Sequence, residues 1–250
     1  MISQEARVEK LLVRLLHHLF ERMPTQIVLK GGFVLRLLEC ERRTNDIDIV
    51  MIPFVSKRVA APLLEEAIAS FPCQRTAVHI HPTAIRLLIH DDGVVTQVEA
   101  SIAENCPSIP MSTANLATLH HELPHIVRVM RFDVALSNKI GAWLERGLYR
   151  DLYDIFYWVG VQKATPHWPT LMGRLAKLKP RKGLPRTCTL DQLALRLELA
   201  ATELRLEPIQ LELQSTLPES EFTGLVPRMR GTLSGFAQKL PHLAPTDHIR

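Results

Sequence analysis

The sequence predicts an α+β protein in two parts: a mixed sheet with flanking helices over residues 1–112, then a helical C-terminal part over residues 113–250. Three observations predict it. Short β-branched runs alternate with amphipathic stretches as far as Pro107 and Pro110, and beyond Pro124 the apolar residues recur only at helical spacing. A chain of 250 residues, 46% hydrophobic and 22% charged, also has enough apolar surface for a sizeable core.

Over residues 3–22, Val8, Leu11, Leu12, Leu15, Leu16, Leu19 and Phe20 keep helical spacing, so one face of a helix of about five turns is apolar and should pack on a sheet. Ile27-Val28-Leu29 reads as a short strand stopped by Gly31-Gly32. Phe33, Leu35, Leu37 and Leu38 then suit a helix to about Cys40. Residues 47–52 read as a second strand and 62–69 as part of a helix. Residues 84–90 and 94–102 form two strands around the turn Asp91-Asp92-Gly93. In the C-terminal part, helices are expected over residues 132–146, 150–159, 169–178, 190–206 and 225–240.

Composition narrows the function classes. Cys40, Cys73, Cys106 and Cys188 contain no C-x-x-C pair, which argues against a zinc knuckle or a disulfide framework and fits a reducing cytoplasm. No uninterrupted apolar run approaches the length of a membrane span, and the N-terminus has no secretion pattern. The formal charge of +4 is uneven: residues 163–250 hold 13 Lys and Arg against 8 Asp and Glu. Arg174, Lys177, Lys179, Arg181, Lys182 and Arg186 follow one another without an acid. Such a density attracts phosphate backbones and makes these six residues candidate nucleic-acid contacts.

The chemistry-bearing segment is Arg42-Arg43-Thr44-Asn45-Asp46-Ile47-Asp48-Ile49-Val50. On a strand, Asp46 and Asp48 project to one face while Ile47 and Ile49 project to the other. Two carboxylates that close repel unless a cation is supplied. Magnesium, a hard ion that takes carboxylate and phosphate oxygens, is the natural neutraliser. Glu99 shares a strand face with Gln97 and Val95 and is a third candidate ligand if its strand lies beside that of Asp46. A metal held in this way serves phosphoryl or nucleotidyl transfer, with Asp48 or Glu99 as general base. Upstream, Gly31-Gly32 lets backbone N–H groups approach an anion, and Lys30 adds a point charge. His79 with His81, and His120-His121 with His125, suggest a zinc site, although their spacing fits no familiar ligand set.

Lys30-Gly31-Gly32, Arg42-x-Thr44-x-Asp46-Ile47-Asp48, Lys139 and Arg150-Asp151-x-x-Asp154, taken together over residues 25–160, resemble the AbiEii-type nucleotidyltransferases. These form a branch of the DNA polymerase β-like superfamily that includes the toxins of AbiE and MenT toxin–antitoxin systems. The resemblance implies the polymerase β-like mixed sheet. It also implies an NTP whose phosphates meet Lys30, Gly31, Gly32, Arg42 and Thr44, magnesium on Asp46 and Asp48 with Glu99 as third acid, and Lys139 and Asp151 completing the catalytic set from the helical part. It further implies an acceptor such as the tRNA 3′ end and a cognate antitoxin. Many relatives carry a hydroxyl residue at or after the second glycine, where this chain has Phe33, so phosphate binding there falls to backbone donors. Residue spacing alone allows other readings. Lys139 sits among Phe132, Ala135, Leu136, Ile140 and Trp143, and Arg150 is placed to pair with Asp154 at i+4. An aminoglycoside-like acceptor, or a nucleotide-binding module without turnover, are the alternative functions.

Overall fold

A computed structural model describes residues 3–179 and 185–243, and the chain divides into two compact units, Met1–Arg131 and Phe132–Arg250. The first unit runs α1 (Gln4–Arg22), β1 (Ile27–Lys30), α2 (Gly32–Leu37), β2 (Asp46–Met51), α3 (Lys57–Ile68), β3 (Arg75–Ile80), β4 (Ile85–Asp91), β5 (Val94–Ile102), β6 (Ser108–Ser112), α4 (Ala114–Leu119) and β7 (Ile126–Met130). Its seven strands form one mixed sheet in the order β3-β4-β5-β2-β1-β7-β6.

One face of this sheet is greasy and the other polar, because alternate residues point oppositely. Ile47 and Ile49 of β2, Leu87 and Ile89 of β4, and Val98 and Ala100 of β5 are fully buried on the greasy face. The apolar stripe of α1, with Leu12, Leu15, Leu16 and Leu19 equally buried, packs against β5 and β2, and α3 packs against β3 and β5. Ser3 caps α1 by accepting the amide of Ala6. Between β4 and β5, Asp92 (φ +46°) and Gly93 (φ +72°) form the two-residue turn whose left-handed conformations match strand twist.

Three strands and one helix go beyond the sequence expectation. β3, β6, β7 and α4 were hidden by residues that usually punctuate strands: Pro107, Pro110 and Pro124, and the histidines from His79 onward. Pro110 is tolerated because β6 is an edge strand, where a missing donor breaks no ladder on the outer side. Since β7 pairs parallel to β1 through Leu29 and Val129, the sheet continues to Met130, and the units divide at Arg131 rather than near residue 112.

In the second unit α5 (Phe132–Arg146), α6 (Tyr149–Phe156), α7 (Trp168–Ala176), α8 (Leu190–Glu203), α9 (Leu206–Leu213) and α10 (Leu225–Leu243) follow one another, with a π turn at Tyr157–Val161 and a 3₁₀ turn at Glu219–Phe222. The single helix expected over residues 190–206 is two. Pro208 cannot be accommodated four residues after a helical carbonyl, so the chain leaves the helix at Leu204 (ψ 126°) and restarts. α6 begins without a side-chain cap of its own. Glu212 of α9 supplies one by accepting the amides of Tyr149 and Arg150, both at 3.0 Å.

His17, His120 and His125 of the first unit are structural. His17 Nε2 hydrogen-bonds the Thr113 hydroxyl at 2.8 Å and its ring stacks on His125 at 4.1 Å, while His120 Nε2 lies 2.9 Å from Glu9. Burial alone would raise the Glu9 carboxyl, but hydrogen bonds from Arg36 and His120 overcome it and hold that carboxyl below its usual range. Burial, helped by the charge of His125, lowers His17 to about 4. His17 therefore stays neutral in the fold while the unfolded chain takes up a proton below pH about 6.5. Its contribution to stability is complete above that pH, is lost as pH falls toward 4, and amounts to about 3 kcal/mol. Urea titrations of the wild type and His17→Gln between pH 7.5 and 4 should show this slope only in the wild type; parallel slopes would contradict the assignment.

Candidate active site

β1 ends at Lys30, and the chain turns through Gly31 with φ +74° and ψ −156°, a conformation open to glycine alone. The close approach made here is to Asp48. A Cβ on Gly31 would overlap Asp48 Oδ2 and lie 2.8 Å from the Asp48 Cβ. The glycine turn and the second aspartate thus touch, as Lys30 and Asp48 are cross-strand partners in the antiparallel β1–β2 pair. Lys30 Nζ stands 3.9 Å from Asp48 Oδ1.

Gly32 serves a second approach. A Cβ there would meet the Arg42 Nη2 at 2.9 Å and the Thr44 Oγ1 at 3.4 Å, so the loop before β2 folds over the start of α2. Arg42 is buried in this arrangement, and the Thr44 hydroxyl donates to Asp46 Oδ1. Lys30, Gly31, Gly32, Arg42, Thr44, Asp46 and Asp48 are therefore brought together, with both carboxylates on the polar face and Ile47 and Ile49 beneath them. Because α2 spans only six residues, any phosphate at the turn would be held chiefly by local amides rather than by a long helix dipole. Arg43, next to this loop, pairs with Glu5.

Glu99 lies beside Asp48 in the parallel β2–β5 register, as Gln97 lies beside Asp46. Its carboxylate is engaged by Arg86, with Nη2 to Oε2 at 3.3 Å. Among the described residues no three His, Cys, Asp or Glu gather closely enough to cage a metal ion as they stand. Arg86 escaped the sequence reading although a signal existed. The two-residue turn at Asp92-Gly93 fixes the hairpin register, and that register places Arg86 opposite Glu99.

In the second unit Lys139 is anchored by two acids of α6. Its Nζ is 2.8 Å from Asp154 Oδ2 and 3.3 Å from Asp151 Oδ1. Arg146 adds a two-pronged contact to Asp151 at 2.7 and 3.1 Å. Asp151 and Asp154 are fully buried. The partner of Asp154 is thus Lys139 of α5, where helical spacing had offered Arg150. The basic stretch is only partly a solvated surface. Arg174 pairs with Glu145 at 3.0 Å, and its Nη2 lies 3.0 Å from where a Gly141 Cβ would stand, so it holds α7 to α5. Lys177, Lys179 and Arg186 are exposed; Arg181 and Lys182 lie outside the described residues.

A direct check of the turn is Gly31→Ala. The new methyl must displace the Asp48 carboxylate while adopting a strained φ, and a misplacement of about 1 Å at a reacting centre costs on the order of 100-fold in rate. Turnover should fall by about that factor with the variant still folded by circular dichroism; a variant as active as the wild type would remove the turn from the site.

The family profile described as nucleotidyl transferase AbiEii toxin, type IV TA system, matches residues 11–234. A search of curated proteins finds no match. Similar solved structures include JHP933 from Helicobacter pylori, with TM-score 0.54, 14% identity and 97% of each chain covered. MenT4, a nucleotidyltransferase toxin from Mycobacterium tuberculosis H37Rv, superposes with TM-score 0.55 and 13% identity over 97% of this chain and 86% of that one. A further H. pylori protein, assigned as a nucleotidyltransferase, gives TM-score 0.55 and 13% identity over 98% and 100%. At such identities the structural likeness carries the fold. The profile match, extending over most of the sequence, carries the family, and the chain belongs to the AbiEii nucleotidyltransferase toxins of type IV toxin–antitoxin systems.

Proposed function

We propose that this nucleotidyltransferase toxin uses magnesium to move a nucleotide from an NTP onto the 3′ end of an RNA, tRNA being the favoured acceptor. The observation that supports the reading best is the seating of the Asp48 carboxylate against the Gly31 turn, with Asp46 on the same strand face. Magnesium usually binds proteins through one or two carboxylates and completes its octahedron with waters and substrate phosphates. A pair of aspartates beside the glycine turn therefore fits it without a third acid. When bound, the ion neutralises the triphosphate and favours ionisation of the acceptor hydroxyl.

The residues of the chain divide the remaining work. Amides at Gly31 and Gly32, with Lys30, Arg42 and Thr44, hold the phosphates. The acceptor oxygen forms a bond to the α-phosphorus as the bond to pyrophosphate breaks, and the hydroxyl proton passes to Asp48 or Glu99, which are side by side in the register of β2 and β5. Lys139 and Asp151 are proposed, through the family resemblance, as the second unit's part in the reaction. Exposed Lys177, Lys179 and Arg186, with the positive surplus of residues 163–250, favour a polyanionic acceptor over a cationic aminoglycoside. The partner implied by the family is an antitoxin.

The test is to incubate the protein with each labelled NTP and magnesium, once with total tRNA and once with an aminoglycoside. Label in tRNA is the expected result; label on the aminoglycoside, or NTP binding without transfer to either, would overturn it.

A further inference from the structure

The polar face of the first unit's sheet continues well beyond the aspartates. Strand register sets Lys30, Asp48, Glu99, Arg86 and His79 directly beside one another on β1, β2, β5, β4 and β3. Neighbours in register share a face, so one row crosses five strands and changes sign along its length. Its acids are on β2 and β5, and its bases continue onto β4 and β3.

The same face of β4 and β3 carries Arg86, Leu88 and His90, and Arg75, Ala77 and His79, with no acid among them. It is also open. Arg75 and His79 are exposed and Arg86, Leu88 and His90 half-buried, whereas Ile85, Leu87 and Ile89 on the opposite face are fully buried. Arg86 is in addition only partly used. It reaches Glu99 through one Nη2 contact at 3.3 Å, while its Nε–H is shielded from solvent without a hydrogen-bond partner. The rest of the guanidinium stays partly open to solvent and can also meet an anion that arrives with the substrate.

We infer that the sugar-phosphate strand of the acceptor lies over β4 and β3, its phosphates meeting Arg86, His79 and Arg75 and its terminal hydroxyl reaching Asp48. The inference rests on the RNA-acceptor reading above and adds where the RNA lies. Strands about 4.8 Å apart put Arg86 about 10 Å and His79 about 15 Å from Asp48 along the row, the span of a few nucleotides. Between the cations lie Ala77 and Leu88, an apolar strip on which ribose and base edges can pack. The acids in the middle of the row repel the backbone and so confine it to β4 and β3, away from the NTP phosphates on the glycine turn. The C-terminal basic stretch makes a lesser contribution, since Arg174 is committed to Glu145.

Five proteins test it: the wild type, Arg75→Ser/His79→Ser on the exposed edge strand, Arg86→Gln, Arg86→Lys, and Lys177→Ser/Lys179→Ser/Arg186→Ser. Each is measured for total-tRNA affinity across a salt series, for NTP binding without RNA, and for transfer. Melting curves confirm that each is folded. The edge-strand variant should bind tRNA about tenfold more weakly, with a salt slope shallower by about 1 and a larger change in KM for tRNA than in kcat, while NTP affinity is retained. Arg86→Gln should weaken tRNA binding similarly and Arg86→Lys recover part of it. Unchanged tRNA affinity and salt slope in the edge-strand variant, or a loss confined to the C-terminal variant, would overturn the inference while wild-type transfer to tRNA still stood. Absence of wild-type transfer to tRNA would instead overturn the reading on which it rests.

Discussion

Asp48→Asn is expected to lower nucleotidyl transfer by at least about a thousandfold, which corresponds to about 4 kcal/mol of lost transition-state stabilisation. The substitution keeps size and shape and removes only the negative charge. The amide is still seated against Gly31, so the turn itself has no reason to rearrange. On the function proposed above, what disappears is one of two carboxylates that neutralise a triphosphate-bound cation, and such charge stabilisation is worth several kcal/mol. Lys30, 3.9 Å from Asp48 Oδ1, is then left without its cross-strand counter-charge and competes with the ion. The defect should appear in kcat, measured as pyrophosphate release at saturating NTP, with NTP affinity far less affected. A variant retaining a tenth of wild-type turnover would remove Asp48 from the reaction centre. Induced in cells, Asp48→Asn should also fail to slow growth where the wild type does.

The second large effect concerns stability. Lys139→Met should destabilise the protein by about 3 kcal/mol, because it takes a close counter-charge away from two buried carboxylates. Asp154 loses the ammonium at 2.8 Å and Asp151 the one at 3.3 Å, although Arg146 still grips Asp151. For a chain of this length the melting temperature should drop by about 10 °C. The companion variant Lys139→Met/Asp154→Leu removes both charges together and should recover a good part of the loss, since a pair replaced by apolar groups costs little. If Lys139→Met melts like the wild type, the cluster is not structural; if the double variant is no better than the single, the loss comes from the lysine's packing instead.

These two sites were legible in the sequence to different degrees, for physical reasons. Asp46 and Asp48 could be placed on one face because side-chain direction in a strand is a local property, and the β4–β5 register was fixed by Asp92-Gly93 in the same way. The glycine pair announced a turn, but not that its backbone would press on Asp48, which depends on β1 pairing with β2. β3 and β6 were obscured because proline and histidine carry the same signal in an edge strand as in a loop, and β7 because Pro124 and His125 immediately precede it. The partners of Asp154 and Arg174 could not be read at all. Several cations lay at plausible spacing, and only the packing of α5 against α6 and α7 selects Lys139 for the first and Glu145 for the second.

The left-handed turn at Gly31 has a genetic corollary. Every missense codon one base away from glycine encodes a residue with a Cβ, and each would push on the same carboxylate. In a selection for cells that outlive toxin induction without antitoxin, survivors should therefore include any amino acid that a single base change can install at position 31. A neighbouring buried position such as Val28, on the strand before it, should tolerate apolar exchange and leave the poison intact.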